Sequence, residues 1–98
     1  MKNNKKKWSV YILVCSDNTF YCGVTNDIKK RIRLHNTGNG AKYTRGRGPV
    51  SLVAIRNGMT KSQALSLEFK IKKQKKENKV AYLLNFSIVD SLDKGELK

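Results

Sequence analysis

Two short runs near the start of the chain, WSVYILVC (8–15) and TFYCGV (19–24), are rich in Val, Ile, Tyr, Phe and Cys and lie on either side of a turn-like SDNT. β-Branched and aromatic runs around such a turn predict a β-hairpin. A third strand is expected at PVSLVAIRN (49–57), where Val50, Leu52 and Ala54 alternate with Ser51, Val53 and Ile55; Pro49 sits at the first position, where its missing N–H does least harm. Between strands two and three, TNDIKKRIRLHN has helical spacing, with Asn26 or Thr25 as the cap and Asp27 in the first turn, and it stops at TGNG. Thr60 and Gln63 form a capping-box pattern ahead of Ala64, Leu65, Leu67, Phe69 and Ile71, predicting a second long helix. A shorter helix at roughly 79–86, with Val80, Leu83, Leu84 and Phe86, closes the pattern. The order β-β-α-β-α(-α) implies an α+β fold, a small three-stranded antiparallel sheet flanked by helices.

Length and composition narrow the picture. With 98 residues and no Pro/Gly/Ser-rich linker, one domain over 8–89 is expected, between a flexible basic arm (1–7) and a flexible tail (90–98). There are 21 Lys and Arg against 7 Asp and Glu, a formal charge of +14 spread along the chain. A polyanion is the natural partner, and nucleic acid, DNA first, fits better than a membrane surface, which would call for a basic helix with a bulky apolar face. Cys15 and Cys22 belong to no metal-binding spacing, and one histidine is too few for an ordinary zinc site, so both read as reduced core thiols. No apolar run reaches membrane-spanning length and the start MKNNKKKW has no apolar signal region behind it, so a cytoplasmic protein is expected; protein partners stay open.

Charge also appears where apolar residues belong. Ile28 and Ile32 write the core face of the first helix, and Arg31 and His35, four residues apart, flank it and can project into one cleft. An Arg there either meets an anion or swings to the helix edge. On the second helix Glu68 lies beside the stripe of Ala64, Leu67 and Ile71, either as an ion-pair partner of Arg31 or as a ligand for a divalent cation. The loop GNGAKYTRGRGP (38–49) combines four glycines with Lys42, Tyr43, Arg45 and Arg47; it is a flexible basic loop or one that follows a phosphate backbone. It contains no GxxxxGK[ST] pattern, so no nucleotide cofactor is expected. The lysine-rich run KIKKQKKENK (70–79) reads as a solvated helix face.

Taken in order, Tyr11 in VYI, Tyr21 and Gly23 in YCG, Arg31, His35 and Glu68 make the chain resemble the GIY-YIG nuclease superfamily, most of all its small stand-alone bacterial branch. The resemblance runs from about Trp8 to Lys73. Val10 replaces the glycine of the first motif and Cys22 the isoleucine of the second, and neither change removes a group that does chemistry. The resemblance implies phosphodiester hydrolysis in DNA, structure-directed or weakly specific, with one Mg²⁺ or Mn²⁺ on Glu68. It also implies Arg31 on the phosphate, Tyr11 as general base or water positioner helped by His35, and Tyr21 ordering water or phosphate. Asn78 and Asn85 are candidates for an asparagine used by some members. A non-catalytic DNA- or RNA-binding module of the same fold is the alternative.

This reading places a demand on the hairpin. A two-residue turn at Asp17-Asn18 pairs positions that sum to 35 and sends Tyr11 and Tyr21 to opposite faces. One extra loop residue brings them together, so a shared site requires an odd-numbered loop or a bulge.

Overall fold

The computed structural model describes residues 6–85; the arm and tail, and Phe86 of the expected last helix, fall largely or wholly outside them. The elements are β1 (Trp8–Val14), β2 (Phe20–Thr25), α1 (Ile28–Asn36), β3 (Ser51–Met59), α2 (Lys61–Lys72) and α3 (Lys76–Asn85). All three strands are antiparallel, in the order β2-β1-β3, giving the expected α+β architecture.

The hairpin closes with three loop residues, Ser16, Asp17 and Asn18. Asn18 N–H donates to Cys15 O at 2.9 Å and Cys15 N–H to Thr19 O at 2.8 Å. Asn18 takes the left-handed conformation, φ 69°, which asparagine tolerates better than most residues and which a three-residue hairpin needs at its last loop position. Tyr11 therefore pairs with Gly23 and Leu13 with Tyr21, so paired positions sum to 34 and both tyrosines share a face. The odd-numbered loop is the one a shared site demands.

Each sheet face has its own apolar cluster. Val10, Ile12, Cys22, Ala54 and Met59 meet Ala64, Leu67 and Ile71 of α2 and Leu83 of α3 on one face. Tyr11, Leu13, Cys15 and Val50 meet Ile28 and Ile32 of α1 on the other. Each fully buried aliphatic side chain here contributes about 1.5–3 kcal/mol, so β1, buried on both faces, anchors the domain.

Local details depart from the sequence pattern for identifiable reasons. Asp27, not Asn26 or Thr25, caps α1, accepting from Lys30 N–H at 3.2 Å, while Thr25 Oγ1 accepts from Asp27 N–H at 3.0 Å in the turn before it. The Thr60/Gln63 capping box forms reciprocally. On α2 the stripe Ala64, Leu67 and Ile71 is buried, whereas Leu65 and Phe69, roughly 130–170° round the helix from the middle of that stripe, are exposed. β3 lies two residues later than the alternation suggests, and its register against β1 shifts twice. One shift leaves Val53 as an extra residue between the Leu52 and Ala54 pairings; the other passes through Gly58, whose φ of +84° favours glycine. α3 begins at Lys76 rather than near 79. Lys73 and Gln74 N–H close tight turns on Lys70 O and Ile71 O, splitting the lysine run between two helices so that Leu83 turns back onto the core.

Candidate active site

The face shared by Tyr11 and Tyr21 becomes a site because α1 and the 37–50 loop fold over it. Asp27 fixes the start of α1, and the 3.6-residue repeat that buries Ile28 and Ile32 turns Arg31 and His35 toward the tyrosines. Tyr11 is fully buried, and its hydroxyl lies 3.0 Å from His35 Nε2. His35 is buried too, with Nδ1 2.8 Å from the Thr44 hydroxyl, which donates to Ala41 O at 3.1 Å. The Arg31 charge acts on the Tyr11 hydroxyl, and its Nε is buried without a partner among the described residues. The tyrosine rings lie 6.3 Å apart, and Tyr21 packs 5.1 Å from the imidazole.

Two glycines make the close approaches possible. A Cβ on Gly23 would stand 2.5 Å from Tyr11 Oη and 3.1 Å from Tyr21 Cε2. A Cβ on Gly40 would stand 2.5 Å from His35 Nδ1. Real carbon contacts do not come that close, so any side chain at either place displaces a ring.

The loop is tied down rather than loose. Ser16 N–H and Oγ donate to Arg47 O at 2.8 and 2.9 Å, Arg47 Nη1 pairs with Asp17 Oδ2 at 2.6 Å, and Asn36 Oδ1 accepts from Val50 N–H at 2.6 Å. Tyr43 thereby stacks on Tyr21, centroids 5.8 Å apart, with the Arg47 guanidinium 4.5 Å above Tyr43. Arg47 is thus already engaged with an acid and a ring. Lys42, Tyr43 and Arg45 are exposed at the rim.

Glu68 comes from α2, on the other side of the sheet, and β2 is an edge strand, so its carboxylate acts on the Tyr21 hydroxyl around that edge. Its ion-pair partner is Lys72, one turn on at 3.2 Å, and not Arg31. Lys72 also lies 6.0 Å from the Tyr21 ring centroid. With Lys79 it lines an open groove alongside Phe20, Tyr21, Cys22 and Tyr43. Asn78 and Asn85 occupy exposed positions of α3, and no hydrogen bond or ring contact among the described residues joins them to the tyrosines.

Burial sets the protonation states. It raises the Tyr11 phenol above its ordinary range, and the nearby Arg31 guanidinium only partly opposes this, so Tyr11 is a neutral donor. Burial likewise raises Tyr21, against the charges of Lys72 and Arg31 and together with that of Glu68. His35 is lowered, first by burial and then by Arg31, and stands neutral at pH 7. Burial and the Glu68 charge push Cys22 to about 12, leaving an inert thiol.

Thr44, Gly40 and Lys72 escaped the sequence reading. Thr44 and Gly40 sat in a loop read for its charges and its glycines, although each lies within nine residues of His35. Lys72 was absorbed into the lysine run, yet its place four residues after Glu68 is an ion-pair spacing.

A three-stranded antiparallel sheet with two tyrosines on one face, an Arg and a His on the following helix and a Glu on a later one defines a nuclease-type domain. The model of the GIY-YIG catalytic domain matches residues 7–81, a little beyond the Trp8–Lys73 span of the motifs, and the chain belongs to that family. It is similar to small UPF0213 proteins. One from Clostridium perfringens is 49% identical over 79 residues, covering 81% of this chain and 85% of the relative. One from Haloquadratum walsbyi is 53% identical over 70 residues, covering 71% and 79%. The solution NMR structure of a protein from E. faecalis superimposes with a TM-score of 0.54 at 33% identity, covering 100% of this chain and 94% of the other.

Proposed function

We propose that this protein is a divalent-metal-dependent nuclease that hydrolyses phosphodiester bonds in DNA, structure-directed or weakly specific. The observation that carries this reading is Arg31, a permanent cation whose charge acts on both tyrosine hydroxyls and which has no carboxylate partner among the described residues. A phosphodiester supplies what that guanidinium lacks, oxygens that accept hydrogen bonds and carry negative charge.

Hydrolysis requires a deprotonated water, stabilised phosphoryl oxygens and a neutralised leaving oxygen. Tyr11, hydrogen-bonded to a neutral His35, positions the water and passes on its proton. Tyr21, on the same face and under the Tyr43 ring, orders the water or phosphate beside it. Arg31 grips the phosphoryl oxygens. Among the described residues no three His, Cys, Asp or Glu side chains cluster as a complete metal cage. One carboxylate, Glu68, paired with the groove-lining Lys72, suits Mg²⁺ or Mn²⁺, which complete their shells with phosphate and water, and does not suit zinc. Glu68 would hold the ion, and when bound the ion supplies positive charge to the leaving oxygen. Lys72 and Lys79 along the groove and Lys42, Tyr43 and Arg45 at the rim draw in the DNA backbone.

No helix among the described residues is long and apolar enough to cross a membrane, in keeping with a DNA partner in the cytoplasm. Incubating pure protein with branched, single-stranded and duplex DNA in Mg²⁺ or Mn²⁺, with a chelator control, tests the reading. Metal-dependent nicking of at least one substrate is expected. Tight binding without cleavage of any of them would favour the non-catalytic module.

A further inference from the structure

The buried chain of hydroxyls and ring nitrogens at Tyr11, His35 and Thr44 has a direction, and counting protons fixes it. Tyr11 is fully buried. The phenol's own proton needs an acceptor, and among the described residues His35 Nε2 is the one within reach. Nε2 must then be unprotonated, and the neutral ring carries its hydrogen on Nδ1. Thr44 supplies the matching acceptor: its single hydroxyl proton goes to Ala41 O, leaving an oxygen lone pair 2.8 Å from Nδ1. The opposite direction would strand the Tyr11 proton and forfeit the bond to Ala41 O.

We infer that Thr44 is a positioning residue that holds His35 in the Nδ1–H tautomer, so that Nε2 takes the proton of Tyr11 during cleavage. The inference rests on the nuclease reading for its catalytic half and on geometry alone for the tautomer. In the reaction, an O–H bond of the attacking water breaks as its proton moves to the Tyr11 oxygen. In the same shift the Tyr11 hydroxyl proton forms an N–H bond at Nε2 and the hydroxide's electron pair forms the new P–O bond; the P–O bond to the leaving oxygen breaks, and that oxygen keeps the bonding pair and takes a proton from solvent. His35 ends as an imidazolium, with Nδ1–H still donating to Thr44, and later loses its Nε2 proton to solvent. Thr44 gains and loses no proton. With the tautomer reversed, Nε2 carries a hydrogen and cannot accept.

The chain has one histidine, so its imidazole nitrogens give unambiguous signals. The experiment is ¹⁵N NMR of histidine-labelled protein at about pH 8, where the ring is neutral, on wild type, Thr44→Val and Thr44→Ser. Valine keeps the branched shape and leaves Ala41 O its bonds from Thr44 N–H and Arg45 N–H, while Nδ1 loses its acceptor. Wild type and Thr44→Ser are expected to show a protonated Nδ1 and a bare Nε2. Thr44→Val should shift population to the Nε2–H form, with the amide spectrum otherwise folded. Cleavage by Thr44→Val should fall by about 10²–10⁴ in kcat, the share typical of a positioned acid–base group, with little change in KM and with recovery in Thr44→Ser. A wild-type Nε2–H tautomer, or a Thr44→Val spectrum unchanged from wild type, overturns the inference. Absence of cleavage by the wild type alongside the expected spectra overturns the catalytic half and the nuclease reading, and leaves the tautomer standing.

Discussion

The Tyr11 ring lies against the bare Cα of Gly23, its cross-strand partner, so closely that a methyl group there would stand 2.5 Å from the phenolic oxygen. Gly23→Ala must therefore push Tyr11 away from His35. Overpacking of this kind costs about 1–3 kcal/mol. A protein that melts a few degrees lower and has lost most of its cleavage is expected, by thermal unfolding and a nicking assay on the same preparation. An alanine variant equal to wild type in both would contradict the close packing.

Arg31 separates function from stability. Its Nε is buried without a partner among the described residues, so Arg31→Met, similar in length and apolar, should leave urea stability within about 1 kcal/mol of wild type or raise it. Cleavage should fall by at least about 10²-fold with the phosphate's main donor gone. Loss of several kcal/mol in the urea titration would assign Arg31 to the scaffold instead.

His35 makes stability depend on pH. Burial and Arg31 hold its folded pKa below the unfolded value of about 6.5, with the Tyr11, Tyr21 and Thr44 side chains packed round the ring. Between the two values the unfolded chain binds more protons, so stability rises with pH there. The contribution is complete above about 6.5 and is lost as pH falls through the folded value. Denaturant midpoints for wild type should decline below about pH 6.5, and His35→Gln should flatten that limb. Identical pH profiles would contradict the assignment.

Lys42 and Arg45 are exposed beside the stacked Tyr43, and on the proposed reading their charges attract DNA. Each replacement by alanine should lower the slope of log affinity against log salt by about 1 and weaken binding evenly across sequences. Arg47, already paired with Asp17, should change the slope less and the stability of the loop more. A slope that none of the three alters would move the DNA to another surface.

Most of the architecture was legible because each element carried its own local signal: β-branched and aromatic runs around a turn at β1 and β2, a reciprocal capping box at Thr60 and Gln63, and core stripes at Ile28/Ile32 and Ala64/Leu67/Ile71. Arg31, His35 and Glu68 stood out as charges beside those stripes. Harder to read was whatever depended on two distant segments at once. Thr44 acts only through His35, and Gly40 only as a wall behind its ring. Lys72 reads as one lysine among many until α2 sets it beside Tyr21. Leu65 and Phe69 show the converse, apolar residues at helical spacing that no other element among the described residues covers. The hairpin was intermediate: its sequence allowed two registers, and the left-handed Asn18 settled the one that brings the tyrosines together.

The central claim is that Arg31 and Glu68, brought from opposite sides of the sheet to the two tyrosines, cut DNA rather than merely hold it. The most direct measurement follows DNA binding and Mg²⁺- or Mn²⁺-dependent cleavage side by side for wild type, Arg31→Ala and Glu68→Ala. Cleavage by the wild type, abolished in both variants while each still binds DNA, is the predicted result. Equal cleavage by all three proteins, or none by the wild type on any DNA structure in either metal, would contradict it.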